Sequence, residues 1–293
     1  MNAWDVVIIG RGPAGSSAAL YMARAGLSVL MLGRDAGALE RAHVIENYYG
    51  LPQPVSGMEL HEIGIRQAER FGAVVRHEEV ISVEKSTHFE VKTAEGNAYE
   101  ATAVLLATGK PRQGAPIKGF EELRGKGLSF CATCDGFLYR GKRLAVIGSG
   151  DYAVAEASEL LHFSKDVTLF TNGAALTAKT TLEGVPVVTE KIDALVADGD
   201  GRLSGLSISG KEFPVDGAFA AIGTASAVDF AQKIGVILKN GNVLVDENYA
   251  TNVEGLYAAG DCTGGYLQVA KAVSDGAHAA RGMLAFVRAQ KKA

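Results

Sequence analysis

The chain has 293 residues, of which 47% are hydrophobic and 21% charged, with a formal net charge of -4. That length fills one large domain or two ordinary ones, each with its own core, and the mild acidity argues against a general nucleic-acid binder, which needs clustered Lys and Arg to neutralise phosphates. No apolar run approaches a membrane span, and a strand begins almost at once (Asp5-Val6-Val7-Ile8-Ile9), which leaves no room for a signal peptide and points to the cytoplasm.

The first unit in chain order is a strand, a glycine loop and a helix. Val6 to Ile9 runs into Gly10-Arg11-Gly12-Pro13-Ala14-Gly15, then into an Ala-rich helical stretch from Ser16 to Ala25 and a second strand from Ser28 to Leu32. Gly10 allows the tight turn, Gly12 lets the backbone approach a pyrophosphate, and Gly15 lets the helix pack on the strand. The helix start offers free N–H groups and a positive dipole end to that anion. A tight turn without a ligand would look similar if it stood alone, but here strand, helix and next strand are all in place. The second strand ends Gly33-Arg34-Asp35 with no acid at its tip, so Asp35 is the nearest carboxylate for a ribose.

Phe89 to Ala107 reads as antiparallel strands around a turn at Glu95-Gly96-Asn97, and ends in Ala107-Thr108-Gly109. Pro111, Pro116 and nearby glycines mark a boundary at 110–118. A second strand–loop–helix follows: Leu144 to Ile147, Gly148-Ser149-Gly150-Asp151-Tyr152-Ala153, a helix from Val154 to His162 and a strand from Val167 to Phe170. Lys239-Asn240-Gly241 is a hairpin signal and a second candidate boundary. Leu256 to Arg288 returns to a strand and a long helix. Short apolar strands alternating with helices predict parallel sheets buried on both faces. The expected fold is α/β, with two Rossmann-like three-layer (ββα) nucleotide-binding domains, the second (113–240) inserted into the first (1–112 and 241–293).

Two motifs carry chemistry beyond the first loop. The strand through Leu256-Tyr257-Ala258-Ala259 ends in Gly260-Asp261, which places a carboxylate where it can accept a hydrogen bond from a ribityl hydroxyl. An aspartate capping the next helix is the alternative; pairing with Gly10–Gly15 favours flavin. Cys131-Ala132-Thr133-Cys134-Asp135 holds two of the three cysteines. That spacing permits a small disulfide ring, and it commonly lowers one thiol's pKa so that a thiolate can attack a disulfide. Asp135 is placed to supply or accept a proton. A zinc site would need two more ligands, and only Cys262 remains, with no His pair at ligand spacing, so no metal is expected. Cys262 reads as a small apolar residue.

The order Gly10-Arg11-Gly12-Pro13-Ala14-Gly15, Glu46-Asn47, Ala107-Thr108-Gly109, Cys131-Ala132-Thr133-Cys134-Asp135-Gly136 and Gly260-Asp261 resembles the low-molecular-weight thioredoxin reductase family over essentially the whole chain. The resemblance implies bound FAD, a homodimer, and a second domain that rotates to expose the cysteines to thioredoxin. It also implies cofactor roles for Asn47, for Ala107, Thr108 and Gly109, and for Gln268, similar to the family's glutamine near the flavin ring. By the same resemblance Cys134 is the flavin-proximal thiol and Cys131 the one that forms the mixed disulfide.

One departure from the family concerns the electron donor. NADPH-using members carry a His-Arg-Arg run after the second strand of the second domain; here the place reads Phe170-Thr171-Asn172-Gly173-Ala174, with no positive charge before Lys179. A 2′-phosphate would find no Arg fork to pair with, and Tyr152 is bulky where a small residue usually lets the dinucleotide lie. The chain therefore resembles the pyridine-nucleotide-independent branch in which ferredoxin supplies the electrons. The competing readings are a nicotinamide-dependent thioredoxin reductase, a dithiol oxidase (whose relatives carry a His where Asp135 stands), and a non-enzymatic flavin redox sensor, against which the intact cysteine pair argues.

Overall fold

Val6, Val7, Ile8 and Ile9 are buried on both faces because they form the middle of a parallel sheet. In the computed structural model, which describes residues 2–110 and 116–292, this strand is β1 (Asn2–Ile9). It is followed by α1 (Pro13–Arg24), β2 (Val29–Leu32), α2 (Gly57–Arg70), β3 (Val74–Arg76), β4 (Val80–Lys85), β5 (Phe89–Thr93) and β6 (Ala98–Leu106). The strand order is β3-β2-β1-β6-β5-β4, parallel from β3 to β6 and antiparallel from β6 to β4. The hairpin turn read at Gly96 is present, with φ 81°. Helix α2 was not singled out in the sequence, although Ser56-Gly57-Met58-Glu59 has a helix-start pattern: the Ser56 side chain accepts the Glu59 N–H at 3.1 Å.

The inserted portion builds β7 (Leu128–Ser129), α3 (Ala132–Asp135), β8 (Leu144–Ile147), α4 (Asp151–Leu160), β9 (Val167–Phe170), β10 (Val187–Val188), β11 (Ala194–Ala197), β12 (Leu203–Ile208), β13 (Lys211–Pro214) and β14 (Gly217–Ala220). Five of these strands form an all-parallel sheet in the order β10-β9-β8-β14-β7, and β11-β12-β13 form an antiparallel layer. Phe120, Leu128, Ile147, Phe170 and Leu206 share its core.

The chain then returns through α5 (Ala227–Lys233), β15 (Leu238–Lys239), β16 (Asn242–Val243), β17 (Leu256–Ala258) and α6 (Val269–Gln290). β17 adds to β6 in parallel, Leu256 opposite Val104, and completes the first sheet. Helix α6 lies on α1 so closely that a Cβ on Gly276 would strike the carbonyl of Ala14. The two compact units are Met1–Pro111 with Ser226–Ala293, and Arg112–Ala225. The first expected boundary falls partly on 111–115, outside the described residues. The second was expected near residue 240, yet the chain rejoins the first unit at Ser226. The reason is that α5 packs on β4, β15 and β16, and its Ala227 N–H donates to Thr108 Oγ1 at 2.6 Å. Asn240 (φ 52°) and Gly241 (φ 70°) do make the expected hairpin turn, but it joins β15 to β16 inside that unit.

Candidate functional site

Strand β7 delivers the chain to Cys131, which caps α3 and is disulfide-bonded to Cys134 with the Cα atoms 5.3 Å apart. Cys131 is buried, whereas Cys134 and Asp135 are half-buried. The backbone of this turn is tied down. The Cys134 N–H donates to Cys131 Sγ (3.1 Å), the Cys131 N–H to Ser129 Oγ (3.2 Å), and the Ala132 N–H to Glu156 Oε2 (2.8 Å). Ser129 Oγ in turn donates to Asp135 Oδ2 at 2.6 Å, which fixes the carboxylate expected to handle protons. Burial and the neighbouring Asp135 raise the Tyr139 phenol above its ordinary range. Ser129 and Glu156 were missed from the sequence. The available signal was a glutamate on the buried face of α4, beside Ala153, Ala157 and Leu160.

In the first unit the glycine loop has the geometry of a phosphate cradle. Gly10 has φ +116°, and a Cβ there would strike the Ala107 carbonyl; one on Gly15 would strike the Gly10 carbonyl. Gly12 differs, since a Cβ would meet nothing within 4 Å. Gly12 also caps α1, Pro13 and Ala14 follow as its first residues, and no described side chain caps this helix start. The side chain of Arg11 is buried, with Nη1 2.8 Å from His77 Nε2 and Nε lacking a hydrogen-bond partner among the described residues. Asp35 is half-buried, and its Oδ1 accepts the Gly37 N–H at 3.0 Å. Gly109 takes φ 74°, and Thr108 is engaged with α5. Asn47 and Gln268, far apart in sequence, meet through Asn47 Nδ2 and Gln268 Oε1 at 3.3 Å, at the cap of α6.

Gly260, at φ 85°, turns the end of β17 into the short helix Asp261–Thr263. Burial raises the Asp261 carboxyl pKa, and Lys271 opposes that shift. Lys271 Nζ reaches the Gly260 carbonyl (2.9 Å), Thr263 Oγ1 (2.9 Å) and buried Asp275 Oδ2 (2.6 Å). Asp275 also accepts the Gly260 N–H (3.0 Å) and the Tyr249 hydroxyl (2.6 Å). Burial and Asp275 push that phenol up to about 12. This brace around Gly260-Asp261 had no sequence signature, because its members come from a loop and a helix interior. Cys262 is fully buried and its thiol is pushed up to about 12 by burial, which suits a packing role.

The second glycine loop is covered by its own chain. The Thr177 N–H donates to the Ser149 carbonyl at 2.7 Å, and the Lys179 N–H donates to Asp151 Oδ1, also at 2.7 Å. Leu176, Leu182 and Val185 of this segment line a small apolar cavity together with Val154, Ala157 and Leu169. At the tip of β9, Asn172 (φ 52°) accepts the Ile192 N–H at 2.9 Å, and Thr171 Oγ1 donates to the Ala174 carbonyl at 2.6 Å. Tyr152, the bulky residue of this loop, is only 2% exposed.

A protein-family model described as pyridine nucleotide-disulphide oxidoreductase matches residues 4–276. The thioredoxin reductase of Listeria innocua is 33% identical over 99% of this chain and 96% of its own length. The chain belongs to the thioredoxin reductases. Among solved thioredoxin reductase structures, the atypical enzyme TRi from Desulfovibrio vulgaris Hildenborough is 40% identical with a TM-score of 0.90, covering 98% of this chain and 99% of that one. The ferredoxin-flavin thioredoxin reductase from Clostridium acetobutylicum is 30% identical with a TM-score of 0.71, covering 100% of both chains. The cofactor of thioredoxin reductases is FAD, and the residues here fit it: an open backbone at Gly12, an uncapped helix start, and a buried guanidinium nitrogen awaiting an acceptor. Among the described residues, no group of three His, Cys, Asp or Glu side chains could hold a metal, and no helix is long and apolar enough to cross a membrane.

Proposed function

We propose that this chain reduces the disulfide of thioredoxin with electrons from ferredoxin, through FAD and the Cys131–Cys134 pair. The observation that carries the choice of donor is the covered second loop. A dinucleotide's pyrophosphate needs open N–H groups at a helix start, but here Asp151 stands as the first residue of α4 and the chain from Thr177 to Lys179 lies over the loop. Residues 170–174 at the β9 tip carry no Arg or Lys of their own for a 2′-phosphate, and Thr171 and Asn172 are absorbed in their own turn. The likeness to a solved ferredoxin-flavin thioredoxin reductase supports the same reading.

Gly10, Gly12, Pro13, Ala14 and Gly15 would hold the pyrophosphate of FAD, and Asp261 the ribityl chain, with Asp35, Asn47, Ala107, Thr108, Gly109, Gly260 and Gln268 completing the cofactor site. When bound, FAD would supply the electron pair for opening the Cys131–Cys134 disulfide. The Cys131 thiolate then attacks the partner disulfide and expels one partner thiol, leaving a mixed disulfide. Cys134 attacks Cys131 Sγ, which releases the second partner thiol and restores the pair. Asp135, held by Ser129, keeps a proton acceptor beside Cys134. The exposed Val44, Tyr49 and Tyr266 of the first unit suit a homodimer, which sedimentation of the holoprotein checks.

The deciding experiment is anaerobic bleaching of the flavin absorbance with each donor in turn, followed by addition of oxidised thioredoxin. Reduced ferredoxin is expected to bleach the flavin and thioredoxin to restore it, while NADPH and NADH at high excess leave it yellow. Fast bleaching by NADPH would falsify the donor assignment. In a second arm, Cys134→Ser is expected to trap thioredoxin as a stable adduct and Cys131→Ser to trap none; the opposite pattern reverses the two roles.

A further inference from the structure

Between Gly10 and Gly12 of the first loop stands Arg11, a long cationic side chain that is only 3% exposed. It is fixed at both ends. Its backbone carbonyl accepts Ser16 Oγ–H at 3.2 Å, and the His61 ring of α2 also bonds the Arg11 backbone. The side chain then crosses the end of β2, where a Cβ on Gly33 would stand 2.9 Å from Arg11 Cγ. Nη2 donates to the Arg34 carbonyl at 3.4 Å, and Nη1 meets His77 Nε2, just past the end of β3, at 2.8 Å. One N–H, that of Nε, has no partner among the described residues.

A buried cation is costly unless something answers its charge. Burial lowers the Arg11 pKa and Asp35 opposes that shift, and a guanidinium keeps its proton at neutral pH in any case. The His61 ring is pushed below its ordinary range by burial, and then by the charges of Arg11 and His77. The carboxyl ends of β1, β2 and β3, which Arg11 spans, are the edge on which this kind of sheet holds a dinucleotide. Asp35, assigned above to the ribose, acts on the same guanidinium and so marks it as lying on the adenosine side. Helix α1 begins at Pro13, two residues on, with no side-chain cap. A phosphate drawn to that helix start comes to a place where a fixed guanidinium has an N–H to spare.

We infer that Arg11 is a cofactor-specificity residue: held by Ser16, His61 and His77, its guanidinium binds the adenosine-side phosphate of FAD and selects for flavins that carry the AMP half. It moves no electron and no proton in the cycle. The assignment rests on the FAD site given above and adds to it a residue for which the glycine pattern has no use.

The experiment strips the FAD-loaded protein of flavin with bromide and measures reuptake of FAD by fluorescence, with ADP or riboflavin as competitor. ADP carries the AMP half without the flavin; riboflavin carries the ring and ribityl chain without a phosphate. Arg11→Gln is expected to weaken both FAD and ADP by about tenfold or more. Riboflavin is expected to act alike in parent and variant, within about twofold. Should the Gln variant not fold, His77→Ala, at an exposed residue, loosens the guanidinium; it is expected to weaken FAD and ADP about threefold and decides by the same comparison. A variant that binds ADP as the parent does overturns the assignment. So does one that loses riboflavin as much as ADP, the mark of a merely distorted loop, and so does a parent in which ADP does not compete at all. A parent that takes up no FAD sinks the cofactor reading and this assignment together, whereas a parent that reloads FAD beside a variant unmoved for ADP sinks only the role of Arg11.

Discussion

The two glycine loops of this chain start from the same local pattern and end in opposite conditions. At the first, Gly12 faces open space and no described side chain caps α1. At the second, Gly150 also opens a helix, but Thr177 and Lys179 donate backbone N–H groups to Ser149 and Asp151, and the loop is filled by its own chain. The difference does not lie in the glycines. It lies in what the following residues offer: Pro13 and Ala14 carry no side-chain acceptor, whereas Asp151 carries a carboxylate that takes the Lys179 N–H. A strand–glycine–helix unit is thus a scaffold, and what lies over it is set by the first helical residue and by a segment far away in sequence.

The strongest way to break this comparison is to fill the open loop. Gly12 has φ -72° and a free Cβ direction, so Gly12→Val is expected to fold normally and to lose FAD, with affinity falling about a hundredfold or more (~3 kcal/mol). Visible absorbance after gel filtration reports it, and a variant that stays yellow would mean the pyrophosphate lies elsewhere. A smaller effect is expected from loosening the covered loop. Asp151→Ala frees the Lys179 N–H and is expected to cost about 2 kcal/mol in urea unfolding without conferring any response to NADPH. A variant that gains NADPH-driven bleaching would show that the cover alone had excluded the nucleotide. Smallest is the brace behind Gly260. Tyr249→Phe removes one hydrogen bond to Asp275 and is expected to cost about 1.5 kcal/mol. The phenol's folded pKa, about 12, lies above its ordinary value, so its contribution is fully present below pH 10 and fades as pH rises toward 12. An alkaline absorbance titration should show the latest-ionising tyrosine disappear in the variant.

What could be read in the sequence was what depends on short spacing. The glycine loops, the cysteine pair and the turn at Asn240-Gly241 are each written in a handful of adjacent residues whose backbone demands are local. Glu156 and the group Lys271, Asp275 and Tyr249 were not legible, because a buried acid gains its meaning only from the amide or ammonium that the fold brings to it. The return at Ser226 was misplaced for a related reason. The hairpin at residue 240 is a stronger local signal than α5, whose membership in the first unit rests on packing and on one bond to Thr108.

The pairing of β17 with β6 also bears on how the molecule is made. Val104 must wait for Leu256, and the whole inserted unit is synthesised between them. Closing so long a loop is slow relative to forming local contacts. Gly260-Asp261 and Gln268 follow β17 immediately, so the nascent chain emerges from the ribosome with its glycine loop made and its carboxylate still to come. Until the last strand docks, one stretch of β6 (Val104 to Leu106) is an unpaired apolar edge, the kind of surface that invites association with other chains during synthesis.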